Sequence, residues 1–302
     1  VNVYPPDSST PLRGDLIMRL VLRTDLTPVP ATVELTVRQT EETQALLTEG
    51  AVIRVGSEQV AFTLVKVQHA DDSGRAGGAH VQGDRLLSSI SATGLLASCE
   101  PMARPLGRAV IRERTTLGAI YRACGAQARI DGDFTAPLFS AFVGMTPSFE
   151  VAKVLQEEAG ALVYDAGRIG FRRLAELRNA RATQFVRGDA AERLASTFLE
   201  RQSIPFGVST APSNAFVIGR RGVARRALYR PRADARLLNN LGTTLVMSRK
   251  LRNALSPDIN AGARIDVDGE PYIVITAAHV LAWEQPGRQE TYSLYWLGEV
   301  SA

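Results

Sequence analysis

Histidine is the side chain best suited to acid–base work near neutrality, and the chain holds three: His69, His80 and His279. They lie far apart in sequence, so a zinc site or a nucleophile triad would have to be assembled entirely by the fold. No H-E-x-x-H, C-x-x-C, G-x-S-x-G or P-loop motif is present. His69 and His279 close strand-like segments and are expected to cap or pack there. The adjacent carboxylates Glu157 and Glu158 end a helical segment. Neighbouring helix residues point about 100° apart, so these two do not share a site, and a solvated face beside Gly160 is expected. The tripeptide Arg13-Gly14-Asp15 is too short to carry meaning, and Asp15 is expected to open a strand. The sequence therefore assigns no catalytic residue, metal site or cofactor.

The densest charge run is Arg220, Arg221, Arg225, Arg226, Arg230, Arg232 and Arg236, offset by Asp234 and interleaved with one aromatic, Tyr229. Arginine pairs with phosphate, so nucleic acid is one partner class. A subunit contact, a loop docked on an acidic neighbour and a solvated surface are the others. Arg220, Arg221, Arg225, Arg226 and Arg230 are taken as the protein-contact candidates. Of the 35 basic residues only Lys66, Lys153 and Lys250 are lysine, so 32 are arginine, and the net charge is 35 − 31 = +4. A GC-rich genome and selection for bidentate interface contacts both account for that bias.

The elements that must position these residues follow from periodicity. The first fifteen residues carry Pro5, Pro6, Ser8, Ser9 and Pro11 and are expected to form a mobile arm. In segment 16–22 the positions Leu16, Met18, Leu20 and Leu22 are all apolar, and Ile17 and Val21 add apolar character behind them. Segment 32–38 alternates, with Val33, Leu35 and Val37 inward and Glu34, Thr36 and Arg38 outward, a strand with one wet face. Segments 51–55 and 60–67 read as a hairpin, and 71–78 as a long Gly- and Ser-rich loop. Leu117, Ile120, Tyr121 and Cys124 make one helical stripe, capped by Thr115 or Thr116 and stopped at Gly125. A second helix over 147–159 has Thr146 as its cap, Pro147 at its first position and Gly160 as its stop. A hairpin follows at 161–173. Later strands are expected at 243–248, 264–267, 272–276 and 291–297, with Tyr292, Leu294 and Trp296 on one side of the last.

With 302 residues, 45% of them hydrophobic, the chain is long enough for two or three domains. No apolar run approaches the ~18 residues of a membrane span, and no secretory signal is read at the N-terminus. Cys99 and Cys124 are too few for a disulfide framework. They suit a reducing compartment, either as two buried thiols or as a single bridge. Strands, a helical insert and strands again predict a mainly β chain with an α+β insert. The segment Gly50-Ala51-Val52-Ile53-Arg54-Val55 is echoed by Gly262-Ala263-Arg264-Ile265-Asp266-Val267. Each is followed by a glycine-bearing turn, an apolar strand and a histidine, His69 or His279. Duplication and mere likeness between hairpins both explain the echo. If it is duplication, three chains can present six similar units.

The stretch PSFEVAKVLQEEAGALVYDAGRIGFRRL, residues 147–174, resembles the middle segment of phage tail hub proteins, the family called late control protein D. The N-terminal part of type VI secretion spike proteins shares that fold. Segment 262–276 with its Asp268-Gly269 turn and the early strands 16–67 agree with the same pattern. The resemblance implies two tube-like β-barrel domains, 1–100 and 179–302, flanking an insert domain, 101–178. It implies a non-enzymatic hub of a phage tail baseplate: a homotrimer of pseudo-sixfold symmetry joining a hexameric tail tube protein to a trimeric central spike protein. Other baseplate or distal tail proteins would be neighbours. DNA would pass through its lumen without sequence-specific binding, no membrane would be involved, and the place would be the virion tail tip, assembled in the host cytoplasm. Since the sequence stops at Ala302 with no needle repeats, the spike is expected to be a separate polypeptide. Two rivals stay open: a tail-associated cell-wall hydrolase, and an arginine-rich DNA-binding module.

Overall fold

The computed structural model describes residues 2–70, 80–82, 85–165, 167–194, 204–211, 213–222, 224, 226–231, 233–285 and 288–301. It is mainly β. The expected loop at 71–78 lies outside the described residues, as do Arg225 and Arg232.

The alternating and apolar segments pair as their patterns dictate. In the first third the spatial order is Val52–Val55, Val60–Ala70, Ser89–Leu96, Ala31–Arg38, Ile17–Asp25, each antiparallel to the next. Val33, Leu35 and Val37 turn inward and are fully buried with Leu20, Ile53, Leu64 and Ile90. Each such side chain contributes about 1.5–3 kcal/mol of burial. In the last third the order is Arg264–Val267, Glu270–Gln285, Arg288–Val300, Leu245–Ala254, Ala191–Arg193, again antiparallel at every step. The two thirds run their strands in the same order, both along the chain and across the sheet.

The likeness extends to single bonds. Gly50 N donates to Leu64 O (2.7 Å) and Leu64 N to Ala51 O (2.8 Å); Gly262 N donates to Val274 O (2.8 Å) and Val274 N to Ala263 O (2.9 Å). Both glycines have positive φ, 86° and 95°, where a side chain is strained. The register shifts between Leu64 and Lys66 in one third and between Val274 and Thr276 in the other. Aligned at these bulges, His69 falls on His279. Composition alone does not place a bulge, so the echo is a duplication of structure.

The two units do not form two closed barrels. Ile17–Asp25 pairs antiparallel with Glu270–Gln285, from Arg19 opposite Ala282 to Asp25 opposite Thr276. This seam fuses both units into one twelve-stranded sheet, and no sheet closes on itself among the described residues. The seam is held by apolar packing of Val21 with Ala278, Val280 and Ala282, and by Thr24, whose hydroxyl accepts Ala261 N–H at 2.9 Å.

Between the units sits the insert. Helix Leu117–Ala123 is capped by the Thr116 hydroxyl, which accepts Ala119 N–H (3.2 Å). Helix Pro147–Glu157 begins at Pro147, but Thr146 makes no side-chain cap. The strands Gly160–Asp165 and Arg168–Arg173 follow as expected. Val110–Thr116 pairs with Thr135–Ala141. The insert shares one apolar cluster with the first unit, and the buried Tyr121 hydroxyl donates to Pro28 O at 2.7 Å.

Two other expectations need correction. The N-terminal arm is ordered: Val3–Tyr4 pairs with Val52–Val55, and Val3 and Leu12 are buried, because the hydrophobic side chains on either side of the prolines join the first core. Asp15 lies in a short 3-10 turn, Gly14–Leu16, rather than a strand. In Arg288–Val300, Tyr292, Leu294 and Trp296 do share one side, half-buried, and the fully buried face is Tyr295 and Leu297.

Candidate assembly interface

The arginine run lies in an insertion within the second unit. In the first unit a short turn joins Ile17–Asp25 to Ala31–Arg38. At the equivalent place the second unit carries a separate three-stranded sheet, Pro205–Thr210, Phe216–Ile218 and Arg226–Tyr229, and helix Ala235–Asn240. Asp234 caps that helix, accepting Leu237 N–H at 2.7 Å. Helix and sheet meet with little clearance: a Cβ at Gly207 or Gly219 would fall within 3 Å of Leu238.

The run is divided in its contacts. Arg236 grips the Glu158 carboxylate with two hydrogen bonds, 2.9 and 3.0 Å, and Arg173 adds a third at 2.9 Å. Arg230 pairs with Glu157 at 3.3 Å, and Asn240 donates to Glu157 O at 2.9 Å. Glu158 is buried, so the solvated face expected for this acid pair is wrong: the helix end is the anchor for the arginine insertion. Burial pushes the Glu157 carboxyl up, an effect that the Arg230 charge only partly offsets. Burial next to a paired neighbour was invisible locally, because the partner lies 78 residues on. Arg221 instead covers the Phe206 ring at 5.3 Å, and Arg220 donates its backbone N–H to Asn239 Oδ1 at 2.8 Å. The side chains of Arg220 and Arg226 are exposed, on the same small insertion as exposed Phe216, Ile218 and Tyr229. Arginine among exposed aromatics is the composition of a protein interface.

A second exposed apolar patch, not anticipated from sequence, lies on the insert. Ile111, Leu138, Phe142, Val143, Met145 and Phe149 all show large hydrophobic area, with Phe149 70% and Val143 65% exposed. Its signal was there in Phe142-Val143-Gly144-Met145, an apolar run broken by a turn glycine. Contiguous patches of this kind mark contact surfaces.

The histidines are not brought together into a reactive site. His279 is buried, and its Nδ1 lies 2.8 Å from Ser293 Oγ. That serine is fully buried and also accepts Ser256 N–H at 2.9 Å, so it serves the fold and does not face a substrate. Burial holds the His279 imidazole below its ordinary pKa. His69 is exposed on its strand, and His80 starts the short strand His80–Gln82. Among the described residues no three His, Cys, Asp or Glu side chains gather as a metal set. Cys99 and Cys124 are free thiols, both buried. No helix of the described residues is long and apolar enough to cross a membrane.

No protein-family profile matches the chain, and no curated protein matches its sequence. Solved structures do match over almost its whole length. A tail protein from Neisseria meningitidis is similar with TM-score 0.64 at 9% identity, covering 99% of this chain and 96% of that one. The 43 kDa tail protein of prophage MuSo2 from Shewanella oneidensis gives TM-score 0.63 at 12% identity, covering 98% and 97%. An E. coli component of the type VI secretion system, described as similar in structure to bacteriophage tail proteins, gives 0.53 at 9% identity, covering 98% and 76%. This chain has the fold that phage tail proteins and type VI secretion components share, as its resemblance to the hub family implied.

Proposed function

We propose that the protein is the structural hub of a phage tail: a homotrimeric ring that adapts a hexameric tail tube to a trimeric central spike. The observation that carries this reading is the duplication. Two units with one strand order, one bulge position and one glycine-initiated ladder are fused edge to edge in a single chain. Three such chains supply six similar units on one side, which is what a sixfold partner needs, while the insertions, present once per chain, supply threefold features for the other. The insert patch around Phe149 and the arginine–aromatic surface around Phe216 are the contact surfaces for tube, spike or other distal tail proteins. The tube-like closure expected of each unit arises in the ring. DNA passes through its lumen, and the place of the protein is the virion tail tip.

A hydrolase reading finds its best serine–histidine pair buried, with Ser293 fully covered and engaged by Ser256. A DNA-binding reading finds Arg230 and Arg236 already committed to Glu157 and Glu158. Sedimentation of the purified chain tests the proposal. A species of three times the 32.6 kDa chain mass is expected. A monomer at every concentration overturns it.

A further inference from the structure

The duplication assigns a partner to one particular strand edge. Inside the chain, Glu270–Gln285 beyond its bulge is covered by Ile17–Asp25, with Leu22 opposite His279. The equivalent stretch of the first unit, Val60–Ala70 beyond Thr63, is paired on one side by Ser89–Leu96 and on the other by no described strand. The exposure follows the pairing. His279 is 3% exposed and Ala278 6%, whereas the equivalent His69 and Gln68 are exposed, and Val65 at the bulge is 40% exposed. A donor on this stretch, Val67 N–H, is met by the Glu49 carboxylate at 3.3 Å. A long open edge is an aggregation hazard unless something pairs with it.

The covering strand of the second unit is likewise open. Ala191–Arg193 ends the sheet and pairs only with Leu245–Ala254 among the described strands. The ladders fix which residue corresponds to which. Leu22 lies opposite Val33, Val33 opposite Gly94, and Gly94 opposite Leu64. Arg193 lies opposite Arg249, Arg249 opposite Leu297, and Leu297 opposite Val274. Because Leu64 and Val274 are equivalent, Arg193 stands where Leu22 stands.

We propose that the Ala191–Arg193 edge of one copy of this chain pairs antiparallel with the Val60–Ala70 edge of a second copy, in the register that puts Arg193 opposite His69 and Glu192 opposite Ala70. The contact reproduces between chains the seam that Ile17–Asp25 makes within one. It is heterologous, so every copy offers one edge of each kind, and a one-third turn per copy closes the contacts into the trimeric ring of the hub reading. The wet sheet face, with Thr36, Ser91 and Gln68, then runs on from copy to copy. This deepens the hub reading and rests on it.

The test is disulfide trapping in the full chain. Cys99 and Cys124 are buried, so they do not compete. His69→Cys with Arg193→Cys is expected to give, under mild oxidation, covalent dimers and trimers on a non-reducing gel, and each single variant none. His69→Cys with Glu192→Cys puts the thiols on opposite faces and is expected to link at least tenfold less. Hydrogen exchange on the unaltered chain gives a second readout: the Val67 and His69 amides, which face the open edge, are protected in the assembled state and lose protection on dilution. A sedimenting trimer with no in-register link and no edge protection overturns the edge pairing and leaves the hub reading standing. A chain that stays monomeric overturns both.

Discussion

The Glu158 carboxylate and the Arg236 guanidinium meet as two parallel hydrogen bonds, Nη1 to Oε2 at 2.9 Å and Nη2 to Oε1 at 3.0 Å. Their geometry ties the end of the insert helix to the insertion in the second unit, with Arg173 closing the third side. Charge-assisted bidentate pairs are the strong ones. The Glu158 side chain is 7% exposed, but those of Arg173 and Arg236 are 41% and 50% exposed, so they regain water when the pair is lost. Glu158→Gln is therefore expected to cost about 1–3 kcal/mol in urea denaturation. An unchanged midpoint would show that the pair is ornamental.

Glu157, one residue earlier, should behave in the opposite way. Its folded pKa is raised by burial, so the fold favours the neutral acid. That contribution is full below the unfolded carboxylate range and is lost as pH rises through the folded value. Glu157→Gln keeps a neutral side chain, and no loss of stability is expected at pH 7. A loss as large as that of Glu158→Gln would mean that the Arg230 pair outweighs desolvation.

His279 gives the acid limb. Its folded pKa is depressed by burial, with Asp258 acting weakly in the other direction. Stability from the neutral ring is full above the unfolded value near 6.5 and falls as pH drops from there toward the folded value. The denaturation midpoint is expected to fall between pH 7.5 and 5, and His279→Gln to flatten that fall. Parallel pH profiles for the two proteins would contradict the assignment.

The paired glycines separate backbone strain from crowding. Gly50 and Gly262 share a positive φ, but a Cβ at Gly50 meets open space, while one at Gly262 would meet Val163 Cγ1 at 2.4 Å. Gly50→Ala is expected to cost about 1 kcal/mol through φ alone. Gly262→Ala carries the clash in addition and should cost more. Equal losses would mean that Val163 moves aside freely.

Burial pushes the Cys99 thiol up to about 12 and the Cys124 thiol to about 11. Neither is expected to react with an aromatic disulfide reagent at pH 8 until denaturant is added, and two thiols should then titrate. Labelling of the folded chain would place one of them at the surface.

Much of the local structure was legible because its signals were local. Pro147 and the Val151, Val154, Leu155 stripe predicted the insert helix, Asp268-Gly269 the late hairpin, and the alternation from Val33 to Val37 the half-wet strand. The echo at Gly50 and Gly262 was legible too, since ladder-starting glycines cannot be exchanged without strain. The seam between Arg19 and Ala282 was not. No periodicity records which of two apolar edges a strand will choose across the length of the chain. Glu158 was misread for the same reason: a carboxylate beside a helix stop looks solvated until the arginine that covers it folds back from far along the sequence. Within the arginine run, charge density gave the location, but only the fold divides the internal anchors Arg230 and Arg236 from the outward-facing Arg220 and Arg226.

Electron cryomicroscopy of the assembled particle, averaged in projection down its axis, reads the duplication directly. Six near-equal lobes around an open centre, differing in alternation only by their outer insertions, are expected. Three lobes with no matching partner between them, or a particle without a central opening, would contradict the account.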